Sequence, residues 1–286
     1  MVKRRYFQLL SAILYNADLP GFARGTIYKG NIKGVCAPGL NCYTCPGAIV
    51  ACPIGSLQVA LGEIKYKLPL YTVGTLLLFG ILLGRGICAF LCPFGLIQEL
   101  LHKIPTRKLG KNKWTRLASL IKYVVLVVFV LFLPLFFLAM DGVSVPAFCK
   151  YICPAGTLEG GLPLIAANED LRTVVGVLFG WKVVILAAVI LLSVFIYRAF
   201  CRFLCPLGAI YSLFNKYALF GVKVNEHKCI GCGACVSSCK LDTRKINDRE
   251  CIRCGECRSV CGHKAIYFGG KKDAGYANPL SPPAPR

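Results

Sequence analysis

Four apolar stretches along the chain predict a mainly α-helical membrane protein. The three strongest cover about residues 68–84, 117–140 and 173–197. The last two are long enough to cross a bilayer as helices, which takes about 20 apolar residues. The remaining stretch, residues 6–23, is shorter and is interrupted by Asn16, Asp18 and Pro20. We expect it to be a spanning anchor, and the same pattern also fits a cleaved signal peptide or an interfacial helix.

Basic residues between these stretches predict the orientation of a bundle of about four transmembrane helices in the cytoplasmic membrane. Segment 102–122 holds seven basic residues and no acid, whereas segment 141–172 holds two basic and four acidic residues. By the positive-inside rule, the first segment is cytoplasmic and the second lies outside. Everything after Tyr217 is then cytoplasmic. Residues 24–67 lie outside, although their five basic residues run against the rule.

Composition and charge narrow the class of protein further. The 286 residues are 56% hydrophobic and only 16% charged, whereas soluble domains have about 25% charged residues. These values exclude a disordered chain and argue against a purely soluble globule. The formal net charge of +21 in so apolar a chain indicates membrane-loop orientation rather than nucleic-acid binding. The chain also has 18 cysteines, and their spacing points to metal sites.

The C-terminal part carries two copies of the cysteine run of bacterial ferredoxins. Each copy reads Cys-x2-Cys-x2-Cys-x3-Cys, at residues 229–239 and 251–261. In such runs three thiolates bind one 4Fe–4S cluster and the fourth binds the other cluster. The spacing predicts one cluster on Cys229, Cys232, Cys235 and Cys261, and a second on Cys251, Cys254, Cys257 and Cys239. A zinc site would normally show two Cys-x2-Cys pairs separated by a longer gap.

A second motif, Cys-x3-Cys-Pro-x-Gly, repeats through the apolar part of the chain. It is complete at residues 88–95, 149–156 and 201–208, and its second half occurs at residues 52–55. Two cysteines four residues apart lie on one face of a helix. Such a pair supplies only half of the ligands of a four-iron cluster, so two motifs must meet to complete a site.

The predicted topology brings two of these motifs together at the cytoplasmic face. We expect one cluster to be held by Cys88, Cys92, Cys201 and Cys205. Arginines precede the first cysteine of each pair by three residues, at Arg85 and Arg198, whereas Pro146 holds this position before Cys149. The guanidinium groups would bind near the cluster and offset the negative charge of its thiolates. Anchors at the cytoplasmic ends of helices are an equally good interpretation.

Six cysteines remain on the predicted outer side: Cys36, Cys42, Cys45, Cys52, Cys149 and Cys153. Four of them could hold a further cluster, for instance Cys149 and Cys153 with Cys52 and Cys45. Alternatively, the four that precede residue 60 form a complete site, and the other two form a disulfide. A third hypothesis is that all six form disulfides, which an oxidising exterior allows. Spacing alone does not choose among these alternatives.

Apolar helices with paired Cys-x3-Cys-Pro motifs, followed by a double ferredoxin run, resemble the NapH/MauN-type membrane polyferredoxins. That family includes the ferredoxin-bearing half of nitrous-oxide-reductase maturation proteins. The resemblance covers about residues 3–268 and implies electron transfer between the quinone pool or a cytoplasmic donor and a redox partner at or across the membrane. We expect a membrane domain (1–220), a two-cluster ferredoxin domain (221–268) and a disordered tail (269–286). The cysteines at residues 36–52 and 149–153 are additional to the simplest members.

These features predict an electron carrier rather than a stand-alone enzyme. Residues 223–273 contain eleven basic and six acidic residues, so this portion would attract an acidic soluble partner such as a ferredoxin or flavodoxin. Two alternative hypotheses are a quinol dehydrogenase subunit with its own quinone site and a non-catalytic protein of metalloprotein assembly or redox sensing.

Overall fold

The computed structural model describes residues 2–62 and 69–270, with side chains from Arg4 onwards. Residues 271–286 of the predicted disordered tail lie outside the described residues. The helices are α1 (Val2–Tyr15), α2 (Leu19–Arg24), α3 (Pro53–Gly62), α4 (Leu70–Leu83), α5 (Gly86–Phe90), α6 (Pro93–Leu101), α7 (Lys113–Ala118), α8 (Ile121–Val125), α9 (Leu133–Asp141), α10 (Ala147–Tyr151), α11 (Leu162–Ala167), α12 (Glu169–Thr173), α13 (Val177–Phe195), α14 (Ala199–Phe203), α15 (Pro206–Phe214) and α16 (Ala234–Ser237). Short 3-10 turns cover Asn31–Gly34, Glu226–Lys228 and Glu256–Arg258, and π-helical segments cover Leu126–Phe132 and Gly156–Gly161.

Two described helices are long and apolar enough to cross a membrane. One is the continuous helix Lys113–Asp141, which runs through α7, α8, the π-helical segment and α9, and the other is α13. The 29 residues of the first helix extend about 43 Å at 1.5 Å per residue, more than the roughly 30 Å of a bilayer core. Apolar side chains such as Val127, Phe132 and Leu191 face outward from these helices.

The other two predicted spans are shorter than a bilayer requires. α4 has 14 residues, about 21 Å of helix. The stretch predicted at residues 6–23 is not one helix, because α1 ends at Tyr15 and α2 begins at Leu19. At the break, Asn16 donates to Ala12 O at 3.0 Å and to Asn41 Oδ1 at 2.9 Å. Where the pattern predicts about four spans, the described part of the chain thus has two helices of spanning length.

The first helix places its polar side chains inward and its apolar side chains outward. Arg4, Gln8 and Ser11 follow one another at helical spacing and are buried. From Arg4 onwards, the exposed side chains of this helix are Tyr6, Phe7, Leu9, Leu10, Ile13 and Leu14. This arrangement is the reverse of a surface helix in a soluble protein. The polar face packs against α5 and α6, which carry one of the cysteine motifs.

A small unit at the end of the described chain contains both ferredoxin runs. Its strands β1 (Gly221–Val224) and β2 (Ile266–Gly269) pair antiparallel, with Gly221 opposite Gly269 and Val224 opposite Ile266. The two cysteine runs lie in the turns and short helices between the strands. The sheet therefore holds the first and last residues of this unit together, and the cysteine-bearing loops form the rest of it.

Buried ion pairs fasten this unit to the helical part of the molecule. Its Asp242 contacts Arg202 of α14, and its Glu250 contacts Lys122 at 2.6 Å and Arg85 at 3.0 Å. On the predicted cytoplasmic loop, Lys111 donates to Val236 O at 2.7 Å. The basic loop and the ferredoxin runs thus lie on the same side of the molecule.

The segment between α2 and α3 is irregular but lies within the protein. A parallel bridge joins Cys36 to Ala51, and Leu40 is buried in the main apolar core. Tyr211 of α15 donates its hydroxyl to Pro38 O at 2.9 Å. These contacts hold the segment against the cysteine motifs of the helical part.

Candidate metal centres

All eighteen cysteines lie in the described part of the chain, and none forms a disulfide. Within the described residues, no three Cys, His, Asp or Glu side chains are close enough to hold a single metal ion. The thiols instead form looser groups of three or four. A four-iron cluster suits such groups, because each thiolate binds a different iron at a corner of the cubane.

The first buried group contains the four thiols that the sequence pairs at the cytoplasmic face: Cys88, Cys92, Cys201 and Cys205. Every pair among these four thiols interacts electrostatically. In each motif the first cysteine lies in a short helix (α5 or α14), and the second is the extended residue before the next helix (α6 or α15). Proline begins that next helix, as suits a position that needs no backbone N–H. The break turns both sulfurs toward the partner motif.

Each of the two predicted arginines precedes one motif and contacts the backbone of the other. Arg198, which precedes Cys201, donates to Cys88 O at 2.6 Å. Arg85, which precedes Cys88, donates to Cys201 O at 3.3 Å. Their side chains are 0% and 1% exposed, so neither acts as an anchor at the membrane surface. Each guanidinium also interacts electrostatically with the Cys88 and Cys201 thiols, as a group that offsets cluster charge would.

The second buried group forms from outer cysteines, of which Cys52 and Cys153 are buried and Cys42 and Cys149 are half-buried. Again every pair of thiols interacts electrostatically. Burial raises the pKa of the Cys149 thiol to about 11, which keeps the free thiol protonated at neutral pH. This group combines a complete motif with a half motif, which is one of the arrangements expected from the sequence.

The fourth thiol of this group is not Cys45, which one of the expected arrangements placed there. The Cys45 thiol donates to Asn16 Oδ1 at 3.4 Å, and Cys42 takes its place in the group. Ala48 stands four residues before Cys52, where a complete motif has its first cysteine. The preceding loop therefore supplies the missing thiol. Cys36 is not among the thiols that interact in this group, and its backbone instead forms a bridge to Ala51.

The ferredoxin runs form two further groups. Cys239, Cys251, Cys254 and Cys257 interact with one another, as the interleaved spacing predicts. Cys235 interacts with Cys229 and Cys232, and the assignment of Cys261 to this group rests on the spacing alone. The Cys229 and Cys232 side chains are exposed, so this outermost group opens to solvent.

The four groups follow one another through the molecule. Cys257 interacts with Cys235 across the two ferredoxin groups. Cys239 and Cys254 then pack against a small apolar cluster that contains Ala89, the residue after Cys88. Beyond that, Tyr211 interacts electrostatically with Cys88 and Cys92 of one buried group and with Cys52 of the other. Seven of the eight thiols of these two groups, all but Cys42, lie in or against one continuous apolar core.

Sequence reasoning missed several side chains around the buried groups. Gln58 and Gln98 each donate to a cysteine sulfur, and Glu99 and Glu250 pair with buried arginines. One signal could have identified the glutamines. Both occur six residues after the cysteine that precedes proline, in the pattern Cys-Pro-x-Gly-x-x-Gln.

Comparison with known families identifies both kinds of cysteine motif. A family model described as a 4Fe-4S binding domain matches residues 68–112, 124–162 and 178–225. A second model with the same description matches residues 222–243 and 244–267. These matches cover the Cys-x3-Cys-Pro motifs at residues 88, 149 and 201 and both ferredoxin runs.

Several curated proteins are similar to the chain over more than half of its length. The uncharacterized protein MJ0750 of Methanocaldococcus jannaschii is 32% identical over 194 residues, covering 66% of this chain and 70% of that protein. The methylamine utilization ferredoxin-type protein MauN of Paracoccus denitrificans is 32% identical over 177 residues, 58% of this chain and 53% of MauN. The regulatory protein NosR of Stutzerimonas stutzeri is 28% identical over 60% of this chain, but only 21% of NosR is covered. No solved structure matches the chain.

Proposed function

Because the chain belongs to the NapH/MauN-type family of membrane polyferredoxins, we propose that it conducts electrons across a membrane through four 4Fe–4S clusters in series. Iron–sulfur electron transfer is the function that its 4Fe-4S domains and its ferredoxin-type relatives share. The number of clusters, their ligands and the transmembrane path are the proposal.

The observation that carries this proposal is a pair of four-thiol groups, seven of whose eight thiols lie in or against one apolar core. Each group has a full ligand set for one cluster, and the ferredoxin unit supplies two more sets. When bound, the clusters supply the one-electron chemistry. The chain's own part is to hold them close together and exclude water from the two buried ones.

Outward-facing apolar side chains support insertion in a membrane. They cover the long helix Lys113–Asp141, α13 and the outer face of α1. The basic loop after α6 contacts the ferredoxin unit, so by the positive-inside rule that end is cytoplasmic. The opposite end includes the 141–172 segment, where Asn168 donates to Gly25 O at 3.0 Å. The group around Cys149 would then complete the path towards the outer face.

Charge at the surface of the ferredoxin unit suits an acidic soluble partner. Two of its acidic side chains, Asp242 and Glu250, are buried against the helical part in ion pairs. Arg253 of this unit is buried as well, so burial removes one more acid than base from the surface of residues 223–270. Cys229 and Cys232 are exposed on this surface, so an acidic ferredoxin or flavodoxin could dock beside the outermost cluster.

Iron and sulfide content tests the proposal directly. Four clusters bind sixteen of the eighteen cysteines, and protein purified anaerobically should contain about sixteen iron atoms per chain. About eight iron atoms per chain would mean that the ferredoxin runs alone bind clusters. That result would overturn the transmembrane path and leave a membrane-associated two-cluster ferredoxin.

A further inference from the structure

Two buried glutamines hold equivalent positions in the two buried cysteine groups. Gln58 follows Cys52 by six residues, in α3, and Gln98 follows Cys92 by six residues, in α6. Their side chains are 0% and 1% exposed. Burying an amide without hydrogen bonds is costly, so the partners of these two side chains indicate why they are there.

Each amide contacts the first cysteine of the partner motif and the residue before it. Gln98 Nε2 donates to Cys201 Sγ at 3.1 Å, and Gln98 Oε1 accepts from Phe200 N at 3.0 Å. Gln58 Nε2 donates to Cys149 Sγ at 3.3 Å, and Gln58 Oε1 accepts from Phe148 N at 2.9 Å. The same two contacts therefore occur at both groups, in motifs far apart in the sequence.

The phenylalanine backbone groups determine the orientation of each amide. A backbone N–H can only donate, so the amide oxygen must face Phe200 or Phe148. The NH2 group then necessarily faces the sulfur. Each amide NH2 also donates to a carbonyl one turn back in its own helix, Phe94 O at 3.3 Å or Ile54 O at 3.2 Å. All of these contacts keep an N–H directed at the thiol.

The equivalent position in the other two motifs serves a different purpose. Tyr211 follows Cys205 by six residues and donates to Pro38 O. Glu159 follows Cys153 by six residues and accepts from Cys42 N at 2.8 Å. Both side chains thus contact the irregular segment between α2 and α3. Each buried group has one such link to that segment and one amide directed at a sulfur.

We propose that Gln58 and Gln98 are matched positioning residues that set the reduction potentials of the two buried clusters. This inference rests on the proposed function, because it requires both clusters to be present. An N–H donor to a ligand sulfur draws electron density from the thiolate and stabilises the more negative, reduced cluster, which raises its potential. One donor of the same kind at each site keeps the two potentials close, so that an electron meets no large energy step between them.

EPR-monitored redox titration of the intact, anaerobically purified protein tests this role. Gln98→Leu should lower the potential of one buried cluster, and Gln58→Leu should lower that of the other. We expect about a tenfold change in the reduction equilibrium, or about 59 mV for a one-electron couple. Gln98→Glu retains an acceptor for Phe200 N but loses the N–H donor, so it should lower the potential at least as far.

Gln8 provides the matched control, since the chain has three glutamines in all. Its buried amide has no hydrogen-bond partner in the described part of the chain, and Gln8→Leu should leave both potentials unchanged. Fully loaded Gln98→Leu and Gln98→Glu proteins with wild-type potentials would overturn the inference. Wild-type protein without the buried clusters would instead overturn the proposed function.

A second measurement covers variants that fail to bind iron. Wild-type protein labelled with 15N only at glutamine should show nitrogen hyperfine coupling in pulsed EPR of both buried clusters. Coupling at each cluster supports the amide–sulfur hydrogen bond without any substitution. Its absence at both clusters would show that the amides do not donate to the sulfurs, and would overturn the inference.

Discussion

Single residues around the first buried group carry more positive than negative charge. The two buried carboxylates there, Glu99 and Glu250, each contact two buried cations. The cations are Arg4 and Arg198 for the first, and Arg85 and Lys122 for the second. Since a buried charge needs compensation, the surplus of cations suits a cluster whose four thiolates leave it negative. Removing one of these arginines would therefore reduce the positive charge that compensates both its carboxylate partner and the cluster.

Serine substitutions test which thiols act together. Cys88→Ser and Cys201→Ser should weaken or remove the same EPR species, and the double variant should lose little more, because residues that act as one unit are non-additive. Cys149→Ser should spare that species. Loss of different species in the two single variants would contradict the pairing.

Cys42 and Cys45 offer a matched comparison at the other buried group. They lie in one turn, where Cys45 N donates to Cys42 O at 3.2 Å. Cys42→Ser should remove the species that depends on Cys149, whereas Cys45→Ser should leave it in place, because only Cys42 belongs to the four-thiol group. The opposite result would show that Cys45, and not Cys42, is the fourth ligand of this cluster.

At the scale of helices, the breaks before α6 and α15 position the thiols of the cysteine motifs. The lengths of the helices determine which of them can cross a membrane. Proline begins α6 and α15 directly after a cysteine, so each motif turns within a few residues. The helix Lys113–Asp141 and α13 are the two described helices of spanning length. α1 and α4 are shorter than the bilayer core, and α1 directs its polar face toward the motif helices. The lengths of α1 and α4 therefore do not locate the membrane boundary, and the side of the membrane on which each loop lies must be measured.

Epitope insertion tests this orientation. A short epitope placed after Gly110 should bind antibody only from the cytoplasmic side, since this exposed loop contacts the ferredoxin unit. An epitope after Val174, in the exposed link between α12 and α13, should bind from the outside. Right-side-out and inverted membrane vesicles distinguish the two sides. Exchanged accessibility would reverse the proposed direction of the cluster series in the membrane.

In the molecule as a whole, electron flow depends on how the ferredoxin unit is docked. Its contact with the helical part includes the buried pair of Asp242 with Arg202, next to the apolar cluster that joins Cys254 to Ala89. Any loosening of this contact would lengthen the distance between the ferredoxin cluster at Cys254 and the buried cluster at Cys88. The ferredoxin clusters themselves would remain intact.

Asp242→Asn should therefore slow reduction of the buried clusters by a soluble reductant. Reduction of the two ferredoxin clusters should be unaffected, and freeze-quench EPR separates the two steps. Glu169→Gln is the control, because Glu169 is exposed in α12, on the 141–172 segment at the opposite end from the ferredoxin unit. Equal slowing of all four clusters, or of none, would show that this docking contact does not govern the internal electron path.

Ligand chemistry was largely predictable from the sequence, because the spacing of cysteines within one run is a local property. The double ferredoxin run, the repeated Cys-x3-Cys-Pro motif and the offsets of Arg85 and Arg198 are all visible without a structure. They were sufficient to predict 4Fe–4S clusters and to bring Cys88 together with Cys201. Hydropathy likewise predicted the two helices of spanning length, because each is one long apolar run.

Tertiary structure alone decided which distant thiols lie together in each group. Cys42 rather than Cys45 joins the second buried group. This could not be predicted, because an irregular loop has no periodicity that indicates which side chain points inward. The polar face of α1 and the sulfur contacts of Gln58 and Gln98 were also invisible, because a buried polar residue is recognised only by its partners. Those partners lie on other helices, and only the packing of the chain brings them within hydrogen-bond distance.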